Sequence, residues 1–167
     1  MKQDIRFLVM DVDGTLTDGK IYMGPDGEVF KVFDIKDGSG IKDILPQYHI
    51  IPVIITARTS RILEKRCREL DIDYLFQGIR NKMETLSEVM RQAGRKDGAA
   101  YTLKNVAYIG DDLLDLQCME PIKKAEGIIG CPQDASKAVT EMADYICCRR
   151  GGDGAVREFI EWLTQGR

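Results

Sequence analysis

The chain alternates between short, nearly continuous apolar runs and longer segments in which apolar residues recur every three or four positions. Continuous apolar runs are typical of buried parallel strands, and the wider spacing is typical of amphipathic helices. Strands are predicted at Phe7–Met10, Ile50–Thr56, Tyr74–Phe76, Asn105–Gly110, Gly127–Gly130 and Tyr145–Cys147. Helices are predicted from about Ile41, over Thr59–Leu70 and Asn81–Ala93, from about Ala135, and over Ala155–Leu163. This alternation predicts an α/β fold built on a doubly wound parallel sheet.

Turn signals mark the remaining boundaries. Asp37-Gly-Ser-Gly is predicted to precede the first helix, and Gly94 is predicted to end the third and to open a connector that reaches Ala100. The segment Lys20 to Phe33 contains two β-rich runs joined by Gly-Pro-Asp-Gly, which predicts a β-hairpin insertion. A glycine-rich turn, Arg149 to Gly154, opens a C-terminal tail over about 149–167.

Chain length favours a single unit. The 167 residues, 44% of them hydrophobic, suffice for one core, so a single domain over 1–167 is predicted. About 40 residues separate Asp13 from Thr56 and fewer than about 30 separate Lys82 from Asp111, whereas a separate cap domain needs at least ~50. The hairpin is therefore the one insertion expected.

Composition excludes several classes of protein. The net charge of −3 offers no basic face for nucleic acid. The five cysteines are an odd number without Cys-x-x-Cys spacing, so neither a zinc site nor a disulfide framework is predicted, and a reducing cytoplasm fits best. No segment approaches the ~18 apolar residues of a membrane span, and the start lacks the apolar stretch of a signal peptide. A small molecule or a protein is the expected partner.

The first strand ends in two acids on alternate residues, Asp11 and Asp13, followed by Gly14 and Thr15. In open α/β sheets the catalytic crevice lies beyond the carboxyl ends of the strands. An Asp-Gly turn is the plainer interpretation. Two acids at an apolar strand end, however, need a cation or a proton to offset their repulsion and desolvation. The motif therefore indicates a reactive carboxylate.

Further polar residues follow the later strands. Thr56 ends one strand, Lys82 begins a helix, and Asp111 and Asp112 follow another strand, with Asp115 one turn on. Taken singly, Thr56 and the Asp pair could be helix caps, and Lys82 a solvated lysine. Taken together, they supply the oxygen ligands that Mg²⁺ prefers and the cation that phosphoryl transfer needs.

Specific roles follow from this chemistry. Asp11 is predicted to attack phosphorus and form an aspartyl-phosphate, and Asp13 to protonate the leaving alcohol and then deprotonate water. Thr56 and nearby amides would bind phosphoryl oxygens, and Lys82 would offset charge in the transition state. Mg²⁺ is predicted at Asp11, Asp111 and a backbone carbonyl near Asp13. The lone His49 receives no role.

The ordered set resembles the four motifs of the haloacid dehalogenase superfamily of phosphatases. They correspond to Asp11-Val-Asp-Gly-Thr, Thr56, Lys82 and Gly110-Asp-Asp-Leu-Leu-Asp. Nearly the whole chain is similar to the capless 3-deoxy-D-manno-octulosonate 8-phosphate phosphatases, in the stretches Asp11–Gly19, Ile35–Ile41, Thr56–Arg58 and Arg150–Arg157.

The resemblance implies a Rossmann-like haloacid dehalogenase fold, Mg²⁺, a small phosphorylated sugar-acid substrate and a homotetramer. It also implies that the hairpin forms the subunit interface and that a neighbouring subunit's tail, with Arg149 and Arg150, completes the site. Arg58, in the Thr-x-Arg position beside Ala57, would bind the substrate carboxylate, as the fork of an arginine does well. Asp112 and Asp115 would support the site.

Two positions depart from the family pattern, and three alternatives stay open. Ala57 stands where the family commonly has Gly, and Thr15 where Val is frequent. A nine-carbon ulosonate phosphate is the second candidate substrate. A phospho-accepting signalling module and an inactive oligomerisation module are the alternatives from other classes. In receiver modules the acceptor Asp ends a middle strand, whereas here the acid pair ends the first.

Overall fold

The computed structural model describes residues 4–165. The strands are β1 (Phe7–Met10), β2 (Tyr22–Gly24), β3 (Gly27–Phe30), β4 (Ile51–Ile55), β5 (Tyr74–Phe76), β6 (Val106–Ile109), β7 (Ile128–Cys131) and β8 (Tyr145–Ile146). The α-helices are α1 (Ile35–Ser39), α2 (Arg61–Glu69), α3 (Lys82–Asp97), α4 (Leu116–Lys124), α5 (Lys137–Thr140) and α6 (Ala155–Thr164). A π-helical turn, Gly40–Ile44, and a 3₁₀ turn, Leu45–Tyr48, continue α1, and further 3₁₀ turns lie at Leu103–Asn105 and Leu113–Asp115.

Six strands form one parallel sheet in the order β5-β4-β1-β6-β7-β8. All four residues of β1 are buried because helices cover both faces of the sheet. Leu8 and Met10 pack towards α2 and α6, whereas Phe7 and Val9 pack towards α3 and α4. The α/β doubly wound sheet predicted from the apolar pattern is confirmed.

The central strand positions the site. β1 pairs with β4 on one side and with β6 on the other. The strands that follow β1 are added first on one side, as β4 and β5, and then on the other, as β6 to β8. Such a reversal of strand order opens a crevice at the carboxyl ends of the strands. Asp11 follows β1, Thr56 follows β4, and Asp111 lies two residues beyond β6. The sheet brings these three predicted residues to one edge.

The predicted hairpin is confirmed as β2 and β3, a separate two-stranded antiparallel sheet. Its exposure pattern is inverted relative to an ordinary surface hairpin. Its apolar side chains face outward, with Val29 59% and Met23 65% exposed, whereas the side chain of Lys31 is 3% exposed. Within residues 4–165, no cap domain accompanies this hairpin.

Two predicted helix boundaries were wrong. The first helix begins at Ile35, because the Asp34 side chain accepts hydrogen bonds from the amides of Lys36 and Asp37 and so caps the helix before the Asp-Gly-Ser-Gly segment. Gly38 lies within this helix, where an added Cβ would lie 2.3 Å from Arg66 Nη2. Close packing, and not a turn, explains this glycine.

Gly94 does not end α3. The helix continues to Asp97 and ends at Gly98, whose φ of 66° is left-handed. A Cβ at Gly94 would lie 2.6 Å from the carbonyl oxygen of Ala99, so the glycine lets the chain return across the helix. The helix α4 was not among the predicted elements; its sequence contains Pro121.

No helix within the described residues is long and apolar enough to cross a membrane. All five cysteines are free thiols, four of them buried and Cys148 exposed.

Candidate active site

Lys82 lies between two carboxylates at the carboxyl edge of the sheet. The Asn81 side chain, which accepts a hydrogen bond from the amide of Glu84, caps α3 and places Lys82 as its first residue. Lys82 Nζ donates to Asp11 Oδ1 at 2.8 Å and to Asp115 Oδ1 at 2.7 Å. Its side chain is 1% exposed, so this ammonium is held by the two acids and not by solvent.

The charge of Lys82 is secured by these partners. Burial by itself would lower the pKa of Lys82, but the negative charges of Asp11 and Asp115 outweigh burial and raise that pKa. A fixed positive charge therefore lies next to the predicted nucleophile. Preorganised charge of this kind stabilises negative charge that develops on a transferring phosphoryl group.

Asp115 holds the acidic loop in place. Its Oδ1 also accepts a hydrogen bond from the buried Tyr108 hydroxyl at 2.7 Å, and its Oδ2 accepts the amides of Asp111 and Asp112 at 3.0 and 3.2 Å. Gly110 allows this contact, since a Cβ there would lie 2.5 Å from the Asp115 carboxyl. Asp115 therefore positions Asp111, and its oxygens are already engaged with donors.

The loop after β1 closes over Asp111. Thr15 Oγ1 donates to Asp111 Oδ1 at 2.8 Å. Gly14 has a φ of 98° and passes so close that a Cβ would lie 2.1 Å from Asp111 Oδ2. Glycine is required here both for its conformation and for this approach.

Three carboxylates form a candidate metal centre. Asp11, Asp111 and Asp115 each offer an oxygen within 4.8 Å of the others. Burial, followed by the charge of Asp115, raises the pKa of Asp11 to about 7, and burial followed by the charge of Asp11 raises that of Asp111 to about 7. Acids so crowded favour a bound cation, and an all-oxygen donor set suits Mg²⁺. Asp115 accepts four hydrogen bonds through both of its oxygens, which leaves it less free than the other two acids to bind a cation.

Asp13 points to a different partner. Its carboxylate forms an ion pair with Lys31, and it is not a member of the acidic cluster found in the described residues. Lys31 is also 3.0 Å from Glu28 Oε1. Sequence reasoning missed both hairpin residues. The sequence did contain a signal for them, because Glu28 directly precedes the otherwise apolar run Val29 to Phe33 and Lys31 interrupts it.

Thr56 and Arg58 lie on the neighbouring strand end. Thr56 is 2% exposed, and its amide donates to the Phe76 carbonyl at 3.0 Å. Arg58 and Ala57 are half-buried in the loop before α2. Arg58 Nη2 is 3.4 Å from Glu28 Oε1, so the hairpin also contacts the predicted carboxylate-binding residue.

The predicted tail residues lie at the surface, in a turn that packs on the loop after β1. Arg149 and Arg150 are exposed, and Arg150 Nε donates to Asp134 Oδ2 at 3.2 Å. Their glycine-rich turn packs on the loop after β1, since Gly152 N donates to the Thr15 carbonyl at 3.1 Å. Beyond the turn, α6 is part of the core and not a free tail.

Comparison with known proteins agrees with this geometry, although no family model matches the chain. The 3-deoxy-D-manno-octulosonate 8-phosphate phosphatase KdsC of Escherichia coli K12 is 40% identical over 167 residues, which cover 99% of this chain and 83% of that protein. The cobalt-bound phosphatase of Haemophilus influenzae has a TM-score of 0.86 at 35% identity, covering 97% of this chain and 88% of that one.

A third relative was solved with ligands. The 3-deoxy-D-manno-octulosonate 8-phosphate phosphatase of Moraxella catarrhalis, in complex with magnesium, phosphate and KDO, has a TM-score of 0.84 at 35% identity, covering 97% of this chain and 87% of that one. The fold, the acidic cluster and these likenesses define a phosphatase of the haloacid dehalogenase superfamily, a phosphoric monoester hydrolase. Within that superfamily, the chain belongs to the 3-deoxy-D-manno-octulosonate 8-phosphate phosphatase family.

Proposed function

We propose that this protein, acting as one domain over 1–167, is a Mg²⁺-dependent phosphatase that hydrolyses 3-deoxy-D-manno-octulosonate 8-phosphate to the free sugar acid and phosphate. The observation that carries the proposal is the buried Lys82 between Asp11 and Asp115, beside Asp111. The names of the Escherichia coli and Moraxella catarrhalis relatives support this substrate. The product would feed lipopolysaccharide synthesis.

The proposed reaction has two displacements. A carboxylate oxygen of Asp11 attacks phosphorus, and the bond from phosphorus to the sugar oxygen breaks. Asp13 enters this step in its protonated form and gives that proton to the departing alcohol. Water then attacks phosphorus and gives a proton to Asp13, while the bond from phosphorus to the Asp11 oxygen breaks. Atoms and charge balance, because the proton that Asp13 loses in the first displacement returns in the second.

The other residues bind and orient the phosphoryl group. Lys82 supplies a fixed positive charge, and Thr56 donates a hydrogen bond to a phosphoryl oxygen. Mg²⁺, held by Asp11, Asp111 and a backbone carbonyl near Asp13, would neutralise phosphoryl charge when bound. Arg58 would bind the sugar-acid carboxylate in the forked geometry that suits arginine.

Assembly into a homotetramer is part of the proposal. The hairpin and the segment after it expose apolar side chains that an oligomer would cover: Ile21, Met23, Val29, Phe30, Val32 and Ile35. We further propose that Arg149 and Arg150 of a neighbouring subunit complete the site. Mixing an Asp11→Asn protein with one altered at both arginines tests this, because hybrid oligomers should regain partial activity. Verified hybrids without recovery would contradict it.

The cellular setting and the partners are also part of the proposal. Five free thiols fit a reducing cytoplasm, and the acidic net charge gives no support for a nucleic-acid partner. The expected partners are therefore the small sugar-acid phosphate and other copies of the chain.

A turnover screen tests the function. Eight- and nine-carbon keto-acid phosphates would be compared, with hexose phosphates as controls, and the eight-carbon ester should give the largest kcat/KM. Preference for the nine-carbon ester would reassign the substrate. Asp11→Asn should abolish turnover and the trapping of phosphate on the enzyme. A stable, slowly decaying aspartyl-phosphate on the natural protein would instead indicate a signalling module, and no turnover of any ester an inactive oligomerisation module.

A further inference from the structure

The hairpin buries charge and exposes apolar surface. The side chain of Lys31 is 3% exposed and that of Glu28 14% exposed, although Glu28 lies in β3 and Lys31 directly follows it, in a two-stranded sheet separate from the main one. Burying a charged side chain is costly unless it is paired. These two residues must therefore have partners whose attraction offsets their removal from water.

Those partners are functional residues. Lys31 Nζ pairs with Asp13, the predicted proton donor, and lies 3.0 Å from Glu28 Oε1. Glu28 Oε2 accepts a hydrogen bond of 2.5 Å from Ser60 Oγ, and its Oε1 lies 3.4 Å from Arg58 Nη2. Burial by itself would raise the pKa of Glu28, but the hydrogen bonds from Ser60 and Lys31 outweigh burial and lower that pKa. Glu28 therefore stays ionised.

The network has a rigid end. Ser60 is the N-cap of α2, and its amide donates to Gln77 Oε1 at 2.7 Å, next to β5. The path from Ser60 through Glu28 to Lys31 thus connects the helix framework to the side chain of Asp13. Through it, a hairpin residue fixes where the Asp13 carboxylate can lie.

We infer that Lys31 is a positioning residue for Asp13, held by Glu28, which keeps the Asp13 carboxylate on the leaving-group side of the phosphoryl site and away from the metal carboxylates. The inference rests on the proposed phosphatase reaction. It also explains why the hairpin contacts the site of its own chain. Because misplacement by about 1 Å can cost ~10²-fold in rate, a lost tether should be visible in turnover.

The test compares two substrates whose leaving groups differ in their need for a proton. Departure of a sugar alcohol requires a proton, whereas departure of 4-nitrophenolate does not, and kcat/KM reports the steps up to that departure. Lys31→Met should lower kcat/KM for the eight-carbon sugar-acid phosphate about 10²-fold, and for 4-nitrophenyl phosphate less than about tenfold. Lys31→Arg should recover much of the loss. Glu28→Gln, which keeps the lysine, should show a smaller loss of the same kind.

Matched controls come from the same hairpin. Lys20→Met and Asp26→Asn change exposed charges there and should leave both kcat/KM values unchanged. Equal losses of Lys31→Met on both esters, or no loss, would overturn the inference. A higher KM with unchanged kcat would make Lys31 a substrate-binding residue instead. If the natural protein cleaves 4-nitrophenyl phosphate but not the sugar-acid phosphate, the substrate proposal fails alone, and the variants are compared on glycerol 3-phosphate.

Discussion

Gly151, in the turn before α6, packs directly on Gly14, in the loop after β1: a Cβ built on Gly151 would lie 1.9 Å from the Gly14 carbonyl oxygen. Since Gly14 in turn contacts Asp111, the C-terminal turn supports the loop after β1 of its own chain. Packing within one subunit therefore explains the glycine at position 151, without any contact from a second subunit.

Gly151→Ala should push the loop after β1 away from its position. Misplacement of the loop predicts a loss of about 10²-fold in kcat, and overpacking a melting temperature lower by several degrees. Phosphate release and thermal unfolding measure the two effects. Asp153→Ala, an exposed change in the same turn, is the control. An active, stable Gly151→Ala protein would show that the turn moves freely.

Magnesium binding should depend on pH. The pKa values of Asp11 and Asp111, each raised to about 7, mean that both carboxyls are partly protonated at neutral pH without a cation. Mg²⁺ needs the ionised forms, so protons compete with it and its affinity falls as pH falls. We expect roughly tenfold or more weaker binding at pH 6 than at pH 8 by calorimetry. Exhaustive chelation should abolish activity. Equal affinity at both pH values would argue against these acids as ligands.

Asp37 should couple stability to pH. This carboxyl is 1% exposed, and burial raises its pKa to about 6, although it accepts the Arg157 amide at 2.8 Å. A folded-state pKa above the unfolded value of 3.8 means that the protonated form stabilises the fold. That stabilisation, about 3 kcal/mol, is complete below pH 3.8 and lost as pH rises through about 6.

Asp37→Asn removes this titration while keeping an acceptor for the Arg157 amide. The difference in free energy of unfolding between Asp37→Asn and the natural protein should therefore shift in favour of the variant by about 2–3 kcal/mol from pH 4 to pH 7, as measured by urea unfolding. Asp43→Asn, at an exposed position nearby, should follow the natural protein at every pH. Parallel stability curves for Asp37→Asn and the natural protein would refute this origin of the pH dependence.

Arg58→Ala should distinguish substrates. If Arg58 binds the sugar-acid carboxylate, its loss raises KM for the eight-carbon ester by about tenfold or more, since a charge-assisted bond is lost. An ester without a carboxylate should be hydrolysed nearly as before. Arg61→Ala, an exposed arginine at the start of α2, is the matched control. Equal losses on both esters would make Arg58 a phosphate-binding or structural residue.

The sequence by itself determined the sheet and the edge on which the site lies. Continuous apolar runs, each followed by polar residues, predict buried parallel strands, and the carboxyl ends of parallel strands lie at a common edge of the sheet. That reasoning was sufficient to place Asp11, Thr56 and Asp111 near one another. It needs only the local pattern of apolar and polar residues, which the sequence shows, and a general rule about where parallel strands end.

Tertiary structure decided the pairings and the close contacts. Lys82 meets Asp115 across 33 positions, and Lys31 meets Asp13 across 18, and no local period encodes either contact. Gly94 looked like a helix end because glycine often ends helices, but its role depends on where the chain returns after Gly98. Such contacts depend on how helices and the hairpin pack on the sheet, which is a property of the whole fold.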